Sequence, residues 1–252
     1  MSKGSSSQHY SYAAYADRDM ARSFDERRFG GPIGELVAST QARVLANMIG
    51  RIADRVILDV GTGTGRAAVM LALGGARVTA VDASEEMLEV AGRRAADAGV
   101  RVNFQRGDAH ALQFANRAFD VTVCLRVLMH VPDWRMCMSE LCRVSERLVV
   151  FDYPSATSAA MLHSLSRRAV HAAFGKTEAY RVFGHGTITR ELKRNGFSVR
   201  SVHRQFAMPI QFHRAIGSRR FTEFSEDILD RAGLLRLFGS PVTVCAERCA
   251  SS

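Results

Sequence analysis

Val56-Ile57-Leu58-Asp59-Val60-Gly61-Thr62-Gly63-Thr64-Gly65 is a short apolar run that ends in alternating glycines. An apolar run of this length bounded by turn residues predicts a buried strand. The glycines let the chain turn sharply and bring backbone N–H groups against a ligand. A helix is expected from residue 65 to 73, and a second strand over 77–81, followed by Asp82, 21 residues after Gly61. In a doubly wound sheet an acid there lies where a ribose diol binds. Asp59 and Asp82 are also ordinary turn residues, and that plainer reading stays open for both.

Outward from this stretch, strand and helix signals alternate. Ser84 is an N-cap for a helix over 84–98, with Met87, Leu88 and Ala91 on its apolar side and Gly99 as its stop. Strands are expected at 102–106, 119–125 and 147–152, with a helix at 133–144. Helices are expected at 34–52, 158–174 and 188–195. Strands at 197–206 and 241–248 close the chain, with one or two amphipathic helices over 210–237 between them. The pattern implies right-handed crossovers and an α/β, doubly wound, mostly parallel sheet.

The glycine spacing separates cofactor classes. A dinucleotide fingerprint wants G-x-G-x-x-G/A, and Arg66 stands where its last glycine belongs. A phosphate loop needs Gly-Lys-Ser/Thr, which is missing.

These residues resemble the class I S-adenosylmethionine-dependent methyltransferases, in particular the small-molecule enzymes of ubiquinone and menaquinone biosynthesis. The resemblance rests on Asp59-x-Gly61-x-Gly63-x-Gly65 with Asp82, on Gly107-Asp108-Ala109, and on Phe119-Asp120-Val121. It also rests on His130-Val131-Pro132-Asp133 followed by Glu140, Arg143 and Val144. It implies a seven-stranded Rossmann-like methyltransferase fold with N-terminal helices and a helical insertion between the last two strands. The domain plan is a tail over 1–11 and one domain over 12–252. That domain divides into an N-terminal cover (12–52), a cofactor-binding core (53–152) and an acceptor-side part (153–252) with a cap near 209–240.

The resemblance also implies roles. Asp59 and the backbone around Gly61 and Gly63 face the methionine part of S-adenosylmethionine, with Thr62 and Gly65 also among the cofactor-binding residues. Asp82 takes both ribose hydroxyls, with Ala83 and Met87 against the adenine. Asp108 accepts from the adenine amino group, with Ala109 beside it, and the Leu125 carbonyl meets the methionine ammonium. Tyr15 and Arg28 cover the cofactor, Arg28 near its carboxylate. The family usually has Pro-Gly-Gly before strand five; here Ser145-Glu146-Arg147 stands there, which makes the turn geometry a question for the structure.

Catalysis of this kind needs few side chains, because the methyl donor is already activated. His130 and His185 are the candidate general bases. Each is equally a bonded wall residue or helix cap. The run Leu125-Arg126-Val127-Leu128 lacks the Asn/Asp-Pro-Pro-aromatic pattern of base-amino methyltransferases, and no Asp/Asn cluster offers octahedral ligands for magnesium. The expected activity is metal-independent methylation of a small molecule at oxygen or carbon. An NAD(P)-dependent oxidoreductase and a non-catalytic cofactor- or RNA-binding protein are the alternatives.

The formal charge is +9, with 34 basic and 25 acidic residues. From Met161 onward 15 basic residues face 7 acidic ones, so nearly all the excess lies in the last third. Such a patch attracts an acidic partner or is a solvated surface. In the first case Arg214, Arg219 and Arg220 hold an acidic, amphipathic acceptor whose apolar part meets Phe212, Ile216 and Phe221. The set Phe212, Ile216, Phe221, Phe224, Ile228, Leu229, Leu234 and Leu235 reads as a helical core face, with peripheral membrane contact as its other use. No specific nucleic-acid partner is expected, and oligomeric state is not legible. Five cysteines without a CxxC pair, and an N-terminus without an apolar leader, give a cytoplasmic expectation.

Overall fold

The computed structural model describes residues 25, 26, 28–158 and 181–250. Its elements in chain order begin with α1 (Gly31–Ile49), β1 (Val56–Val60), α2 (Arg66–Leu73), β2 (Arg77–Asp82), α3 (Glu85–Asp97), β3 (Val102–Arg106) and β4 (Phe119–Cys124). There follow α4 (Trp134–Val144), β5 (Ser145–Tyr153), α5 (His185–Arg194), β6 (Phe197–Phe206), α6 (Ile210–Ile216), α7 (Arg219–Arg231), α8 (Leu234–Phe238) and β7 (Ser240–Arg248). The helix expected over 158–174 falls almost wholly outside the described residues, as do Tyr15 and the tail.

The seven strands form one sheet in the order β3-β2-β1-β4-β5-β7-β6. Strands β1 to β5 pair in parallel, and β7 enters antiparallel between β5 and β6. Parallel strands covered on both faces read as unbroken apolar runs. Leu58 and Val60 pack with α4 residues on one side, while Ile57 packs with Val44, Leu45 and Leu71 on the other. The chain leaves β1 toward β2 and β3, then returns to place β4 on β1's other side. That reversal opens a crevice at the carboxyl ends of β1 and β4.

Helix starts follow local chemistry. Pro32 sits in the first turn of α1, where a missing N–H costs nothing. The Ser84 hydroxyl accepts from the Met87 N–H at 3.1 Å and caps α3 as expected. Helix α5 begins earlier than the sequence suggested, so His185 is its first residue rather than part of a loop.

The Ser145-Glu146-Arg147 question has a physical answer. Helix α4 runs into β5 with no intervening turn, Ser145 being both the helix cap and the first strand residue. Arg248, at the end of β7, donates from Nη2 to the Cys142 carbonyl at 2.7 Å and to that of Ser145, and from Nε to the Glu146 carbonyl at 3.2 Å. Its guanidinium also lies 4.6 Å from the Phe197 ring centroid. A cation at a helix C-terminus suits the dipole and satisfies carbonyls a glycine turn would otherwise expose.

The insertion between β6 and β7 is α6, α7 and α8, three helices rather than one or two. Its expected core face is corrected by the structure. Phe212, Ile216, Phe221, Phe224 and Ile228 are exposed, and Leu229, Leu234 and Leu235 are half-buried. The inward side of α7 is polar, with Thr222 and Glu226 buried. Glu226 accepts from the Ala207 and Met208 N–H groups at 2.7 and 3.1 Å and bonds His213 Nε2 at 2.8 Å. A buried carboxylate must be bonded in this way, so the helix is anchored by its polar stripe.

Replacing Arg248 with alanine removes charge-assisted bonds to three carbonyls. The expected loss is about 2 kcal/mol, a fall in melting midpoint of about 4–8 °C, with cofactor-site binding unchanged. Thermal unfolding checks it; an unaltered midpoint would show that the α4–β5 junction holds without Arg248.

Candidate functional site

The glycine turn after β1 is tied to the end of β2. Gly61 and Thr62 donate their N–H groups to the Val81 carbonyl at 2.7 and 3.1 Å, and Gly63 donates to Asp82 Oδ2 at 2.7 Å. Asp82 Oδ1 accepts from the Ser84 N–H at 3.0 Å. Gly61, Gly63 and Gly65 all have left-handed backbones, with φ of 69°, 55° and 78°. At Gly61 a β-carbon would also stand 2.2 Å from Val127 Cγ2, so the loop after β4 closes directly on this turn.

Around the turn lies a cavity lined by Asp59, Val60, Gly61, Thr62 and Gly63, and by Val81, Asp82, Ala83 and Met87. Ala109, Leu125, Arg126, Val127, His130 and Val131 close it from β3 and β4, and Arg28, Phe29, Gln41 and Arg66 from the N-terminal side. Most expected cofactor residues thus meet at one place. Asp59 is buried and its Oδ2 accepts from the Thr62 hydroxyl at 2.6 Å. Burial pushes its carboxyl up to about 6; the Thr62 bond opposes this and the neighbouring Asp82 adds to it. Burial also raises Asp82, against the pull of backbone N–H groups at Ser84 and Gly63.

Three expected site residues do not line this cavity. Gly65 does not line the cavity: a β-carbon there would stand 2.7 Å from Ala91 Cβ, so this glycine serves the packing of α2's start on α3. Asp108 does not line it either. Its Oδ1 accepts from the His110 N–H at 2.9 Å and meets His110 Nδ1 at 2.7 Å, while its neighbours Gly107 and Ala109 are on the lining. His185 lies outside the cavity, its Nδ1 bonded to the Tyr153 hydroxyl at 2.8 Å. Burial, then Arg204, lowers the His185 pKa. His130 does line the cavity and is buried. Tyr15 lies outside the described residues.

Several contacts at and behind the cavity wall carry no sequence signal. Arg66 places its guanidinium 4.2 Å from the Phe29 ring centroid, joining α2 to the N-terminal cover. Asp25 accepts from the Thr64 hydroxyl at 2.8 Å and pairs with Arg94. Arg126 has φ of 64°, rare outside glycine, and its N–H donates to the buried Asp152 carboxylate. Burial raises Asp152, against the pull of Arg126 and Arg28. Asp152 alone stands out in the sequence, as an acid near the carboxyl end of a strand like Asp59 and Asp82.

The donor set suits S-adenosylmethionine. Left-handed Gly63 has nothing within 4 Å of a notional β-carbon, leaving open space beside Asp82. The Asp59 and Asp82 carboxylates on its wall suit hydroxyls and an ammonium, apolar Ala83, Met87 and Val131 suit an adenine, and Arg28 suits a carboxylate.

A family model described as a methyltransferase domain matches residues 57–147. The chain is 42% identical over 85 residues to the ubiquinone biosynthesis O-methyltransferase of Azotobacter vinelandii, covering 33% of this chain and 36% of that protein. It is 38% identical over 107 residues to the demethylmenaquinone methyltransferase of Thermus thermophilus, covering 40% and 49%. The matched stretch therefore spans less than half the length of either relative. Among solved structures, the magnesium protoporphyrin IX methyltransferase of Synechocystis with bound SAH (S-adenosylhomocysteine) superposes with a TM-score of 0.64 at 21% identity. That superposition covers 92% of this chain and 97% of that one.

Two outcomes follow from this geometry. Asp82→Ala is expected to weaken S-adenosylhomocysteine binding at least about tenfold, since a charged acceptor is worth about 1.5–3 kcal/mol per bond; calorimetry on a folded variant that retained full affinity would remove Asp82 from the site. Asp59 gives a pH signature. Its carboxylate form, which attracts a cationic ligand, is lost as pH falls through about 6. Affinity should be flat above about pH 7 and fall below about 6, by up to about tenfold per unit, and Asp59→Asn should flatten the profile.

Proposed function

From a core that belongs to the class I S-adenosylmethionine-dependent methyltransferases, we propose that this chain methylates a small molecule at oxygen or carbon without a metal. The observation that carries the reading is Asp82 at the cavity wall, its two oxygens holding Gly63 and Ser84 while Ala83 and Met87 line the wall beside it. When bound, the cofactor supplies a methyl group already activated on a sulfonium.

The chain's residues then have definable tasks. Asp59 offers negative charge to a cationic ligand, and Arg28 offers a planar fork to a carboxylate. Val127 and Val131 help exclude water beside His130. His130 takes the acceptor's proton as the new bond forms. Phenolic and quinone-like acceptors are supported by the names of the relatives from Azotobacter and Thermus. No three acidic, histidine or cysteine side chains cluster as a metal site among the described residues. A cytoplasmic location is part of the proposal, supported by five unpaired thiols, four of them buried.

S-adenosylhomocysteine at about a hundred times its dissociation constant should stabilise the fold by about 2.7 kcal/mol, whereas NADH should not. Stabilisation by NADH alone would favour the oxidoreductase reading. With a panel of prenylated and unprenylated phenolic acids as acceptors, His130→Gln should lower methyl transfer about a hundredfold and leave cofactor affinity unchanged. A wild-type rate would make His130 a wall residue.

A further inference from the structure

Asp152 is a buried acid, 2% exposed, that meets the cavity only through a neighbour. It stands near the end of β5, beside β4, with Cys124 paired to Phe151 at the last step of their register. The chain leaving β4 therefore passes next to its carboxylate. There Oδ1 accepts the Arg126 N–H at 2.5 Å. Arg126 and Arg28 favour the charged form of Asp152 against burial.

Arg126 needs such a partner. Its φ of 64° is left-handed, a backbone that crowds any β-carbon and that only glycine adopts freely. Two other non-glycine residues share that conformation among the described residues, Asp54 and Arg117. Their N–H groups go to neutral carbonyls, those of Gly75 and Arg143, at 3.0 and 2.9 Å. At the cavity the acceptor is instead a buried carboxylate, which is costly to desolvate and forms the stronger bond. The conformation of Arg126 decides where the next residues go. Val127 Cγ2 comes 2.2 Å from the place of a Gly61 β-carbon, and the Val127 carbonyl accepts from the His130 and Val131 N–H groups at 2.8 and 3.3 Å. Leu125, Arg126, Val127, His130 and Val131 all line the cavity.

We propose that Asp152 is a positioning residue. By holding Arg126 left-handed it seats the 125–131 segment against the glycine turn, and so sets how well the cavity takes its cofactor without touching it. What the seated wall serves rests on the methyl-transfer reading above; that Asp152 seats it does not.

The test uses the full chain, with calorimetry of S-adenosylhomocysteine and ligand-free amide-exchange protection over 125–131. Asp152→Ala should lower protection there and weaken binding about tenfold, as fewer chains keep the competent shape. Adding Arg126→Gly should restore protection and bring affinity back to within about threefold of wild type, because glycine adopts the turn unaided at a modest entropic cost. Adding Arg126→Ala in its place should restore neither, since it removes the guanidinium but keeps the β-carbon. The proposal is overturned if Asp152→Ala behaves as wild type, if neither second substitution rescues it, or if alanine rescues as well as glycine, which would make the effect one of charge pairing. Should Asp152→Ala alone fail to fold, the two double variants decide: binding by the glycine form only upholds the proposal, and equal behaviour of both overturns it. A wild-type chain that binds no S-adenosylhomocysteine, with the expected order of protection among the variants, would overturn the methyl-transfer reading and leave the hold of Asp152 on the wall standing.

Discussion

A single carboxylate organises the ligand-binding edge of this protein. Asp82 ends β2 and gives one oxygen to the Gly63 N–H and the other to the Ser84 N–H. The first bond fixes the glycine turn after β1. The second fixes the start of α3, whose own cap is the Ser84 hydroxyl. Two βα junctions are thus set by one side chain, and each oxygen keeps lone-pair capacity for a further donor. Burial makes the charge expensive, and the backbone donors offset that cost. The rest of the site is arranged around this point. Val127 reaches Gly61 only because the turn carries no β-carbon there. Arg126 can adopt its left-handed backbone because Asp152 accepts its N–H.

The sheet and the glycine turn were legible because their signals are local. A buried parallel strand is an apolar run, a positive-φ turn wants glycine, and a helix start wants serine. What the sequence misjudged depended on competition for a partner or on contacts across the fold. Asp108 has the position of an adenine acceptor, and His110 two residues later engages one oxygen of its carboxylate. Gly65 looks like part of a ligand loop, and its need for no side chain comes from Ala91 on another helix. Arg248 does the work of a missing Pro-Gly-Gly turn from about a hundred residues away. No pattern around residue 145 announces it.

The insertion shows a different limit. Its apolar periodicity makes it amphipathic, but amphipathicity defines two faces without saying what each meets. Glu226 decides the matter. A carboxylate with two backbone donors and a histidine within reach is drawn inward, and the phenylalanines on the opposite side stay outside. The same helices contact the residues that close the cavity, through Arg214 and Ile210. The insertion is therefore packed directly against the N-terminal cover of the cavity.

The central claim is that ligand binding is concentrated where β1, β2 and β3 end. Hydrogen exchange of backbone amides with and without S-adenosylhomocysteine measures this directly. The account predicts slowed exchange in peptides spanning 59–66, 81–87 and 107–110, with little change across 210–238. Protection confined to α6, α7 and α8, or no protection at the glycine turn under saturating ligand, would contradict it.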